Sequence, residues 1–92
     1  MRNCRRVTTS EFIAYIGTQP VTEARFGFVV SKSVGSAVVR NRVKRQLRAA
    51  AAAKLPKLAP TAIVLRATPA AVTANFSQLS SSLESALAGV LR

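Results

Sequence analysis

The stretch SVGSAVVRNRVKRQLRAAAAAKL, residues 33–55, is where the period of the chain changes. Val39, Val43, Leu47 and Ala50 fall at i, i+4, i+8 and i+11, which at 100° per residue is one narrow apolar stripe on a helix. Gly35 breaks whatever precedes the helix, and Ser36 is a good N-cap because its hydroxyl can accept from an orphan amide. The alanine run 49–53 extends the helix at high propensity, and Pro56 and Pro60 mark its end. Within this stretch, RNRVKRQLR (40–48) has five basic residues in nine: Arg40, Arg42, Lys44, Arg45 and Arg48. Arg40, Lys44 and Arg48 form a ridge beside the stripe, while Asn41 and Arg45 point away from it.

Outward from that helix the pattern is different. EFIAYIG (11–17) and RFGFVVSK (25–32) alternate with a period of two and predict strands. Phe12, Ala14 and Ile16 share one face of the first, Ile13 and Tyr15 the other. Their short connection predicts an antiparallel hairpin. TAIVLRA (61–67) predicts a third strand, ended by Pro69. TANFSQLSSSLESALAGVL (73–91) predicts a second helix with Phe76, Leu79, Leu83, Leu87 and Val90 or Leu91 on its apolar face, capped by Asn75 or Thr73. The expected order is β-β-α-β-α, an α+β two-layer sandwich with both helices on the sheet. A parallel pairing across the basic helix would be right-handed by default.

Ninety-two residues make one small domain, residues 1–92, and a mean composition of 49% apolar residues is enough for a core. The formal net charge is +11, from 14 Lys and Arg against 3 acids, with no acid between Glu23 and Glu84. The single cysteine, Cys4, excludes an intrachain disulfide. There is no apolar run of signal-peptide or membrane-span length, so a cytoplasmic protein is expected. Histidine is absent, which removes the commonest general base and metal ligand. The three glutamates, Glu11, Glu23 and Glu84, are scattered, so no catalytic side chain and no metal ligand is assigned.

An ordinary basic helix face carries Glu–Lys pairs at i, i+4; this one has like charges at Arg40/Lys44 and Lys44/Arg48, each destabilising by a few tenths of a kcal/mol. That points to an anionic partner. Arginine dominates, and a guanidinium can fork two hydrogen bonds to a phosphate. Nucleic acid is therefore favoured over a membrane surface, for which the stripe is too narrow and lacks aromatics. A small ribosomal or RNA-chaperone-like protein without a role in cleavage, and a protein-only nuclease, are the other classes to weigh.

RFGFVVSKSVGSAVVRNRVKRQLR (25–48) resembles the signature of the protein subunit of bacterial ribonuclease P: a strand ending in V-S-K, a short glycine-containing turn, then a helix with R-N-R-x-K-R-x-x-R. The resemblance continues more weakly over roughly residues 10 to 90. It implies an RNA-binding subunit that assists endonucleolytic removal of the 5′ leader from precursor tRNA. The chemistry and the Mg²⁺ would lie with the catalytic RNA, and the protein alone would bind no cofactor. The implied partners are that RNA and precursor tRNA, with neither membrane nor DNA. The implied fold has a left-handed β-α-β crossover around the basic helix. Carried over residue by residue, Lys32, Arg40, Asn41, Arg42, Lys44, Arg45 and Arg48 match the RNA-contacting motif. Tyr15 matches a strand aromatic of the leader-binding cleft, Arg66 is a further RNA-binding candidate, and Phe12 is expected in the core. The family's first helix, with two aromatics one turn apart, has no counterpart before EFIAYIG, so the chain is read as N-terminally shortened.

Overall fold

The computed structural model describes residues 4–17 and 21–89. Four strands form one sheet: β1 (Cys4–Thr8), β2 (Phe12–Gly17), β3 (Arg25–Val29) and β4 (Ala62–Ala67). Two α-helices, α1 (Ala37–Lys54) and α2 (Phe76–Ala86), pack on it, with short 3₁₀ turns at Lys32–Val34, Leu55–Lys57 and Pro69–Val72. The α+β class and the layering agree with the sequence reading.

The pairing differs from the expected hairpin. The strand order is β1-β2-β4-β3, with β2 antiparallel to both β1 and β4, and β3 parallel to β4. The chain does reverse direction between β2 and β3, but β4 is inserted between them. The reason lies in side-chain burial. In β4, Ile63, Leu65 and Ala67 are buried on one face, while on the other Ala62 and Val64 are half-buried and Arg66 is exposed. The most apolar strand takes an interior place, where both of its edges are paired. The other difference is β1, an additional strand pairing Cys4–Thr8 with Gly17–Ile13. CRRVT has one large aliphatic residue and adjacent arginines, too little alternation to register as a strand.

One face of the sheet is covered. Phe12, Ala14 and Ile16 of β2 and Ile63 and Leu65 of β4 join Val43, Leu47 and Ala50 of α1 and Leu79, Leu83 and Leu87 at α2 in a single core cluster. The α1 stripe is as expected, except that Val39 is only half-buried. Burying Val43 and Leu47 stabilises by about 1.5–3 kcal/mol each. The stripe expected for α2 begins at Leu79: Phe76, at the first helical position, is 48% exposed. Val90 and Leu91 lie outside the described residues. Asn75, not Thr73, is the cap, in a full capping box with Gln78. Among the described residues no helix is long and apolar enough to cross a membrane.

The β1–β2 turn is pinned from two sides. Thr68 at the end of β4 donates from its amide to the Glu11 carbonyl (3.0 Å) and from its hydroxyl to the Ser10 carbonyl (2.6 Å). The hydroxyls of Ser10 and of Ser82 on α2 donate to the Glu11 carboxylate. These bonds, Ser10's first, hold Glu11 below its ordinary value of 4.5. A carboxylate with a lowered folded pKa adds stability that is present above its unfolded pKa and is lost as pH falls through the folded one. Urea titrations at a series of pH values below 4.5 should therefore show stability falling, with a shallower fall in Glu11→Gln.

Candidate nucleic-acid interface

The link from β3 to α1 sets the position of the basic residues. Gly35 has φ 156° and ψ −163°, a region essentially reserved for glycine, and a Cβ there would stand 3.0 Å from Cγ1 of Val39. The Ser36 hydroxyl then accepts from the Val39 amide (3.4 Å), so α1 starts one residue after the turn. Lys32, expected to close the strand, instead opens the 3₁₀ turn three residues beyond it, and its side chain is exposed. Gly35→Ala should destabilise the fold by about 1–3 kcal/mol in chemical denaturation, by combining backbone strain with that contact.

From this start the helix distributes its cations over two flanks. Arg40, Lys44 and Arg48 run down the flank beside β3. Arg40 is half-buried, and its Nε is buried without a hydrogen-bond partner. Arg40, Asn41 and Lys44 line a cavity of about 180 Å³ with Val30 and Ala37. The Arg48 guanidinium carbon lies 5.9 Å from the centre of the Phe28 ring, a cation–π distance. On the other flank, Arg42 donates from Nη2 to the Val72 carbonyl (3.1 Å), which orients it toward the turn before α2. Asn41 and Arg45 are exposed between the flanks.

None of these five cations has an acidic partner among the described residues. The only ion pairs there are Arg25–Glu23 (3.4 Å) and Lys54–Glu84 (3.7 Å). With Glu11 held by serines, all three acids of the chain are engaged away from the motif. Among the described residues no three His, Cys, Asp or Glu side chains lie together.

Tyr15 and Arg66 lie elsewhere. They are on the uncovered face of the sheet, where Tyr15, Val64, Arg66 and Val29 line a cavity of about 280 Å³. The register places Ile13 opposite Arg66 and Val64 opposite Tyr15. The structure thus brings Tyr15 and Arg66 together and separates both from the cations of α1 by the thickness of the sheet. Sequence reading missed Arg6, which pairs with Tyr15 in register and so shares its face. The only signal for it was the parity of a strand too short and too polar to recognise.

A glycine-set basic helix beside a sheet that carries Tyr15 and Arg66 on its free face can be compared with known proteins. The family profile described as Ribonuclease P matches residues 1–90. This chain belongs to the ribonuclease P protein family. The ribonuclease P protein component of an Arthrobacter species is 47% identical over 88 residues, covering 95% of this chain and 62% of that protein. That of Pseudarthrobacter chlorophenolicus is 46% identical over 92 residues, covering 99% and 65%. The chain thus spans less than two thirds of the length of both. The crystallised Staphylococcus aureus RNase P protein superimposes with a TM-score of 0.84 at 28% identity, covering 97% of this chain and 84% of that one.

Within this family frame the cations of α1 are held at a cost to the free protein. Lys44 stands one turn from both Arg40 and Arg48, so Lys44→Glu converts two like-charge pairs into two opposite ones. At ~0.2–0.5 kcal/mol per pair in each sense, the free variant should gain on the order of 1 kcal/mol in denaturant titration. The same variant should bind structured RNA more weakly in a filter or anisotropy assay, so stability and binding move in opposite directions.

Proposed function

We propose that this chain acts as the protein subunit of ribonuclease P. It binds a catalytic RNA and precursor tRNA and assists endonucleolytic removal of the 5′ leader. The observation that carries this reading is the set of α1 cations with no acid facing them, on a helix whose opposite stripe is locked into the core. Family membership supports it independently.

The mechanism is electrostatic. Arg40, Lys44 and Arg48 on one flank, Arg42 on the other and Arg45 between them can meet phosphates on more than one side of a groove or junction. Phosphate contact positions an RNA without reading its sequence, which suits a partner recognised by its folded shape. On the free sheet face, the Tyr15 ring offers a stacking surface to an unpaired base, with Arg66 and Arg6 nearby for the backbone. Stacking is tolerant of base identity, as a site for the varied leaders of different precursor tRNAs must be. Lys32 at the β3–α1 turn adds a further exposed cation.

This chain's own side chains supply binding and positioning. It has no histidine, and its three carboxylates are each engaged by serines or cations. Activation of water and stabilisation of the cleaved phosphate are assigned to the RNA and the Mg²⁺ it holds. Neutralising phosphates near the substrate lowers the repulsion between two polyanions and so lowers the Mg²⁺ they need.

The test is reconstitution with the cognate RNA at limiting Mg²⁺. The chain should stimulate precursor tRNA cleavage, and the Arg40→Ala/Arg42→Ala/Arg45→Ala variant should not. Its RNA affinity should also depend less steeply on salt, with the log–log slope shallower by about 2 to 3, one phosphate contact per cation removed. RNA binding by the chain without any stimulation would favour a binding protein with no part in cleavage. Equal salt slopes for the two proteins would remove α1 from the interface.

A further inference from the structure

The edge strand β3 carries a second aromatic site that neither the basic motif nor the Tyr15 face accounts for. Phe26 and Phe28 pair in register with Ile63 and Leu65, so they lie on the helix-covered side of the sheet. Ile63 and Leu65 are fully buried there, yet the two phenylalanines are only half-buried. Their rings are near-parallel, with centres 6.1 Å apart and planes inclined by 15°. What covers them from above is the alanine-rich end of α1, where Ala52 and Leu55 stand over a groove of about 290 Å³. Alanines in that run fill little volume, and Leu55 is itself 39% exposed. An aromatic wall therefore remains open to solvent, with Arg48 at its mouth, 5.9 Å from the Phe28 ring.

The groove continues the α1 ridge. Arg40, Lys44 and Arg48 succeed one another at about 6 Å along the helix axis, a rise of four residues each. A single strand whose phosphates follow that row arrives at the groove with a base beside Phe28. A net charge of +11 opposes a second copy of this chain there and favours an anionic occupant. A flat apolar wall and a cation together suit a nucleobase and its phosphate better than either suits an aliphatic ligand.

We propose that the groove between Phe28 and Leu55 holds one unpaired base of an RNA strand whose phosphates run along Arg40, Lys44 and Arg48. The site is on the opposite side of the sheet from Tyr15, and Arg48 serves both parts, leaving the ring to meet the incoming phosphate. This rests on the reading of α1 as an RNA-binding surface and adds a base contact to it.

The test uses the full chain, a short single-stranded RNA and the same strand with abasic sites, followed by NMR of aromatic rings and leucine methyls and by anisotropy. The Ala52→Leu variant narrows the groove without altering charge, at an exposed helical position that tolerates leucine. The base-bearing strand should shift the Phe26, Phe28 and Leu55 signals, and the abasic strand should shift only the amides of residues 40–48. The variant should bind the base-bearing strand about tenfold more weakly and the abasic strand unchanged, as expected for loss of one stacked base. Equal binding of both strands by the wild-type chain, base-dependent shifts confined to Tyr15, or a dimer abolished by Ala52→Leu would each overturn the groove assignment alone. Absence of any shift in residues 40–48 with either strand would overturn the reading of α1 as well.

Discussion

Burial of the α1 stripe against the sheet is the interaction on which the rest depends. Val43, Leu47 and Ala50 share one core cluster with Phe12, Ile63 and Leu65. Two large aliphatic side chains contribute several kcal/mol, against a few tenths for each like-charge pair on the outer surface. Burial therefore fixes the rotation of the helix, and the cations must accept the positions that result. Gly35 and Ser36 set where the helix begins, which fixes its register along its own axis.

The same constraint explains why the cations stay unneutralised. A small domain has few acids to spare: two of the three here join other elements, and Glu23 pairs locally with Arg25. Glu84 ties α2 to the end of α1 through Lys54, and Glu11 ties the β1–β2 turn to α2 through Ser82. Acids used to join elements are unavailable to screen the motif. The result is a protein whose free state tolerates self-repulsion, which binding to a polyanion would relieve. Arg42 shows the balance at one residue: it gives one donor to the Val72 carbonyl, which orients the guanidinium while leaving other donors free.

Two aromatic surfaces follow from the sheet's parity. β2 and β4 place Tyr15 and Arg66 on the uncovered face, whereas β3 places Phe26 and Phe28 on the covered one. Because β3 is an edge strand, the helix layer reaches those two rings incompletely. Their half-burial is a consequence of strand order, as is the cation–π contact with Arg48.

Much of the molecule was legible in the sequence because the signals were local. The period change at residues 33–55, the Ser36 cap, the narrow stripe and the ridge of Arg40, Lys44 and Arg48 depend only on helix geometry and neighbours within a few residues. The alternation in EFIAYIG likewise put Phe12 and Tyr15 on opposite faces. The misread features were non-local. Adjacent strand candidates with a short link resemble a hairpin, and only the pairing of β4 with both β2 and β3 shows it inserted between them. β1 takes its conformation from its pairing with β2 rather than from its own residues, which hid Arg6. Phe76 fitted the helical spacing but is 48% exposed at the first helical position, while Leu79 in the same turn is buried. Local periodicity decided which residues face together on each element. Only tertiary pairing decided which elements are neighbours, because that choice depends on contacts between residues far apart in the chain, such as Ile63 and Leu65 with α1 and α2.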